Sequence, residues 1–118
     1  MPKKIMILED DEATAELMKF YLQEEGFEVV VSSRGTSFIT KAAEFQPDLI
    51  TLDVLLPDAN GFSIFEKLQQ NERTRNIPVI FVTVREEKDK GIKMGASGYI
   101  VKPFNEGELK GTIKSILS

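Results

Sequence analysis

The chain has 118 residues, 42% of them hydrophobic, which is enough for one compact domain over residues 1–118 with its own core and no room for a second. A formal net charge of −4 disfavours a nucleic-acid surface, because phosphate binding needs clustered Lys and Arg. The absence of Cys removes disulfide and thiol chemistry, and the absence of His removes the commonest general base and the commonest transition-metal ligand.

The first apolar run, Ile5–Leu8, follows Lys3 and Lys4 and is too short for a signal-peptide core; no later run reaches membrane-spanning length. The location expected on these grounds is cytoplasmic. Three acids follow, Glu9, Asp10 and Asp11, and then a helical pattern in which Leu17, Phe20 and Tyr21 are expected to share the apolar face, closed by Gly26. After the second run, Val29–Val31, the positions of Phe38, Ala42 and Phe45 predict a second helix that Pro47 ends. The third run, Leu49–Leu52, carries Asp53 to its end before the chain breaks into Pro57, Asp58, Asn60 and Gly61. Phe62 and Phe65 then mark a third helix.

Pro78 opens the fourth run, Val79–Val82, and Thr83 stands at its end. A short, mostly charged helix is expected over Glu86 to Met94. Its Arg85–Lys90 portion reads as a solvated face with i,i+4 ion pairs and nothing more. Gly95 and Gly98 bracket the turn into the fifth run, Tyr99–Val101, which ends in Lys102 and Pro103. Asn105 and Glu108 have the spacing of a capping box, and Leu109, Ile113, Ile116 and Leu117 form one apolar stripe.

The runs are continuous and largely β-branched, as expected of parallel strands buried on both faces. Strand and helix alternate five times, which predicts a doubly wound α/β domain with helices on both sides of the sheet. Ligands in such sheets sit at the carboxyl ends of the strands. If the first, third, fourth and fifth strands are neighbours, Glu9, Asp10, Asp53, Thr83 and Lys102 converge on one rim. Clustered carboxylates repel unless a cation joins them, and oxygen ligands without His or Cys favour Mg²⁺. Asp53 is placed to act as a carboxylate nucleophile toward a phosphoryl group. Asp11, next to the helix, is expected to cap it instead.

Four segments in order, ILEDDE, LDVLLPDANGF, FVTV and GYIVKPF, resemble those of the response-regulator receiver domains of two-component signalling. The resemblance spans nearly the whole chain and implies a flavodoxin-like (βα)5 sheet in the order 2-1-3-4-5. It implies Glu9 and Asp10 as the acidic pair on Mg²⁺, directly or through water. Asp53 would be phosphoacceptor and metal ligand, and Leu55 a ligand through its backbone carbonyl. Thr83 would be the switch hydroxyl, Tyr99 the aromatic that follows it inward, and Lys102 the phosphate-binding lysine before a cis bond to Pro103. The implied phosphodonor is a sensor histidine kinase or phosphotransfer protein. The implied partner is an effector protein or fused output domain, and a phosphorylation-dependent dimer is within the family's range. The surface of helix 4, strand 5 and helix 5 would carry the change in affinity. Catalysis would extend only to the chain's own phosphorylation and dephosphorylation.

Two features depart from the commonest pattern. Thr83 and Lys102 lie nineteen positions apart, about one helical turn fewer than usual, which bears on the helix 4 surface. Val84 follows Thr83 where a smaller residue is common, and its bulk is expected to narrow access to the phosphoryl group. A haloacid-dehalogenase-like phosphatase would need an acid where Leu55 stands. A flavodoxin-like flavin site would need Ser, Thr and Gly where Glu9, Asp10 and Asp11 stand. A degenerate receiver acting only as a scaffold would lack a key residue, and none is missing.

Overall fold

Strand and helix alternate through the computed structural model, which describes residues 2–118. The order is β1 (Lys4–Leu8), α1 (Glu12–Glu24), β2 (Glu28–Ser32), α2 (Phe38–Phe45), β3 (Leu49–Leu52), α3 (Gly61–Gln70), β4 (Val79–Thr83), α4 (Lys88–Met94), β5 (Gly98–Val101) and α5 (Glu106–Leu117). The strands form one parallel sheet in the order β2-β1-β3-β4-β5. Each crossover is a helix, as parallel neighbours require. Among the described residues, no helix is long and apolar enough to cross a membrane.

The sheet separates two cores, and alternate residues of a strand feed opposite ones. Met6, Leu8, Ile50, Leu52 and Phe81 pack against Phe38, Phe62, Phe65 and Leu68 of α2 and α3. Ile5, Ile7, Leu49, Ile80 and Val82 pack against Met18, Leu22, Leu109 and Ile113 of α1 and α5. This two-sided burial is why the strands read as unbroken apolar runs rather than alternating ones.

Two expectations are corrected. The buried face of α1 is Ala15, Met18 and Leu22, whereas Leu17 is 44% and Phe20 57% exposed. Both stripes satisfy the helical period, which sets spacing but not phase; only Tyr21 of the expected trio packs, partly buried, against the core. The Arg85–Lys90 stretch is also more than a solvated face. Its helix begins at Lys88 because the backbone of residues 85–87 is held by Tyr99, whose hydroxyl donates to the Arg85 carbonyl (2.5 Å) and accepts from the Glu87 N–H (3.2 Å). Arg85 Nη2 and Glu87 Oε2 lie 3.0 Å apart without hydrogen-bonding geometry, and Lys90 Nζ sits 4.3 Å above the Phe62 ring.

Candidate functional site

Strand register builds the site. Leu8 of β1 pairs with Leu52 of β3, so the residues that follow, Glu9 and Asp53, leave the sheet side by side. Thr83 of β4 pairs with Val101 of β5, which brings Lys102 to the same rim. The ladder continues into these residues: the Asp53 N–H donates to Leu8 O (3.1 Å), and the Lys102 N–H to Thr83 O (2.8 Å). The Lys102–Pro103 peptide is cis, as the resemblance implies.

At the rim, Lys102 Nζ donates to Glu9 Oε1 at 2.5 Å and to Asp53 Oδ2 at 2.9 Å. The second oxygens are held by local backbone: Asp53 Oδ1 accepts from the Leu55 N–H (3.1 Å), and Glu9 Oε2 from the Asp11 N–H (3.1 Å). Glu9 and Asp53 are buried and Asp10 is exposed, yet all three offer carboxylate oxygens within 4.8 Å of one another. Asp11 stands apart and caps α1, its Oδ2 accepting from the Thr14 N–H at 2.9 Å. The Thr14 hydroxyl, donating to the same oxygen at 2.5 Å, and then the capped N–H draw the Asp11 carboxyl below its usual range.

Burial pushes the Glu9 carboxyl up, against the opposing pull of Lys102. Burial alone would lower Lys102; its bonds to Glu9 and Asp53 outweigh that, and the ammonium is held above its usual range. Three carboxylates facing one ammonium leave two negative charges uncompensated, on oxygen-only donors. That set fits a hard dication such as Mg²⁺, for which Glu9, Asp10 and Asp53 are the available side-chain ligands.

The remaining residues of the sequence reading lie around this cluster. Leu55 follows Asp53 in a turn closed by an isolated antiparallel bridge to Asn60. Thr83 is fully buried, and its hydroxyl accepts from the Arg85 N–H at 3.3 Å rather than meeting Asp53. Tyr99 lies inward, 9% exposed, with its ring centroid 5.7 Å from that of Phe81; burial raises its phenol. Val84 is 58% exposed beside Lys102, in an apolar hollow of about 360 Å³ that Leu17 and Phe104 also line.

Gly61 shapes the entry into α3, as its place after the Pro57 turn suggests, and Asp58 gains a role that the sequence did not reveal. A Cβ at Gly61 would fall 2.1 Å from the Asp53 carbonyl oxygen, so only glycine lets α3 start against the end of β3. Asp58 ties the turn after Asp53 to the loop before α2, accepting from the Gly35 N–H (2.9 Å), the Thr36 N–H (2.8 Å) and the Thr36 hydroxyl (2.6 Å). These bonds lower its carboxyl to about 2. The PDANG stretch marked a turn, but nothing in it pointed across 22 residues to Thr36.

Residues 5–114 match the response regulator receiver domain. Over 120 residues the chain is 38% identical to the phosphate regulon transcriptional regulatory protein PhoB of Rhizobium meliloti, a match covering 99% of this chain and 53% of that protein. The structure of the chemotaxis response regulator CheY4 of Vibrio cholerae superposes with a TM-score of 0.90 at 27% identity, covering 98% of this chain and 99% of that one. The BeF3-activated N-terminal receiver domain of Klebsiella pneumoniae RstA gives 0.87 at 30% identity, covering 98% of each chain. The chain belongs to the response regulator receiver domain family, the receiving module of two-component signalling. It spans about half the length of the curated relatives it matches.

Proposed function

We propose that Asp53 accepts a phosphoryl group from a phosphohistidine on a histidine kinase or phosphotransfer protein, and that this changes the affinity of the α4-β5-α5 surface for an effector or fused output domain. One observation carries the reading: Lys102 bridges buried Glu9 and Asp53 while Asp10 completes a three-carboxylate cluster. An Asp53 oxygen attacks phosphorus, the P–O bond forms as the donor's P–N bond breaks, and the imidazole leaves with the bonding electron pair. The Leu55 N–H and Lys102 fix the plane of the attacking carboxylate. Lys102 then holds a phosphoryl oxygen. Bound Mg²⁺, with Glu9, Asp10, Asp53 and the Leu55 carbonyl as ligands, would neutralise charge on the transferring group.

Phosphorylation replaces one negative charge with nearly two and adds strong acceptors. Thr83 would exchange its bond to the Arg85 N–H for one to a phosphoryl oxygen, and inward Tyr99 would move with the loop. The chain would catalyse nothing beyond gain and loss of its own phosphoryl group. The activation of the Klebsiella receiver by BeF3 supports this assignment of chemistry by analogy. Incubation with acetyl phosphate and Mg²⁺, followed by intact mass, tests it. One hydroxylamine-labile adduct, absent in Asp53→Asn and absent when EDTA removes the metal, is expected. An adduct that persists in Asp53→Asn, or steady turnover of phosphate esters, would overturn it.

A further inference from the structure

Helix α4 has seven residues, and its one buried residue is a glycine, Gly91. Glycine weakens a helix relative to alanine, and a helix this short has little stability to lose. Backbone freedom is not the reason, because the positive-φ glycines are Gly26 and Gly95. Space is. A Cβ at Gly91 would fall 2.8 Å from Tyr99 Cδ2, 3.1 Å from Tyr99 Cε2 and 3.2 Å from Phe81 Cδ2. Carbon atoms attract best at about 3.5–4.0 Å and repel steeply well inside that, so a methyl here forces something to move.

The surroundings decide what moves. Phe81 is fully buried and wedged by the rings of Phe62 and Phe65, at 5.0 and 5.6 Å. The helix is pinned to α3 at two points, by Lys90 over Phe62 and by the Gln69 amide donating to Met94 O at 2.9 Å. Tyr99 stands at the end of the core next to solvent and is anchored at its tip by two loop hydrogen bonds. The tyrosine ring is the part with somewhere to go.

We propose that Gly91 is the positioning residue that holds Tyr99 inward: the missing side chain lets the α4 backbone rest on the ring, and any Cβ at this position drives the ring toward solvent. The consequence for signalling rests on the phosphorylation switch proposed above; the steric claim does not.

The chain has two tyrosines, so 3-fluorotyrosine labelling gives two fluorine resonances, assigned with Tyr21→Phe. In Gly91→Ala the Tyr99 resonance should gain strong broadening from a soluble gadolinium chelate, while that of Tyr21 stays as in the parent. A Tyr99 ring that stays protected would overturn the proposal, because the helix would have lifted instead. Thermal midpoints give a second readout. Gly91→Ala should lower the midpoint clearly when Tyr99 is present and much less, or not at all, in a Tyr99→Ala background, where only the 3.2 Å approach to Phe81 still opposes alanine's helix preference. An equal loss in both backgrounds would also overturn the proposal. Failure of the parent chain to take up phosphate would sink the phosphorylation reading and leave both of these measurements intact.

Discussion

The two halves of the carboxyl rim are held together by different forces. On the β1–β3 side, groups are fixed by charge: Lys102, reaching across from the end of β5, joins Glu9 and Asp53 at 2.5 and 2.9 Å, and each carboxylate's other oxygen accepts a backbone N–H. On the β4–α4–β5 side, groups are fixed mainly by shape. Tyr99 lies under a bare stretch of helix backbone, and Thr83 makes a long 3.3 Å contact to Arg85. The flanking helices differ likewise, since α3 buries five of its ten residues and α4 one of seven. Elements with few buried contacts open at low free energy. The half that would do chemistry is therefore tied by its own ion pairs, and in the half that would report it the part with freedom is the Tyr99 ring and its loop, because Lys90 and Gln69 tie α4 to α3.

Removing the ammonium should produce the largest effect and tests the charged half directly. Lys102→Met leaves Glu9 and Asp53 buried against each other, and breaking such a pair costs on the order of 3 kcal/mol. Urea unfolding should show that loss, and Mg²⁺ should restore part of it by replacing the missing charge. If Mg²⁺ stabilises the variant no more than the parent, the acids are not its ligands. Gly61→Ala comes next. Its Cβ would meet the Asp53 carbonyl oxygen and Val54 Cα, both backbone atoms that cannot step aside. Overpacking of this kind costs about 1–3 kcal/mol. Because the displaced turn carries Asp53, phosphate uptake should fall together with stability; a loss of stability with uptake intact would separate α3 from the charged half.

What could be read from the sequence follows the same division. The acids after β1 and β3 were legible because continuous β-branched runs mark where buried strands end, and neighbouring parallel strands deliver whatever follows them to one rim. The shape-held half was not. Gly91 sits in a charged segment and looks like a helix weakness until the Tyr99 ring is placed beneath it. Periodicity carries no phase and α1 is apolar on more than one side, so the sequence alone does not tell the exposed Leu17 and Phe20 from the buried face. Asp58 was recognisable as a turn residue, but its partners, Gly35 and Thr36, belong to another loop whose approach only the assembled sheet defines.

Smaller effects sharpen the contrast. Tyr99→Phe keeps the ring under α4 and removes only the hydroxyl bonds to Arg85 and Glu87. The loss should be about 1 kcal/mol, and amide exchange should quicken over residues 85–94 while Mg²⁺ affinity stays unchanged. A change in Mg²⁺ affinity would mean that the two halves are coupled before any phosphate arrives.

The smallest effect belongs to Asp58, which joins the turn after Asp53 to the α2 loop from an exposed position. Its carboxyl is held at about 2 when folded, below the ordinary value of about 3.9 expected when unfolded. A depressed carboxyl stabilises the fold above the unfolded value, and that contribution fades as pH falls through the folded one. Asp58→Ala should therefore lower the thermal midpoint at pH 7, and the gap from the parent should narrow between about pH 4 and pH 2. A gap of constant size across that range would mean that the Thr36 and Gly35 donors satisfy a shape rather than a charge, and the loop would then belong with the β4–β5 half.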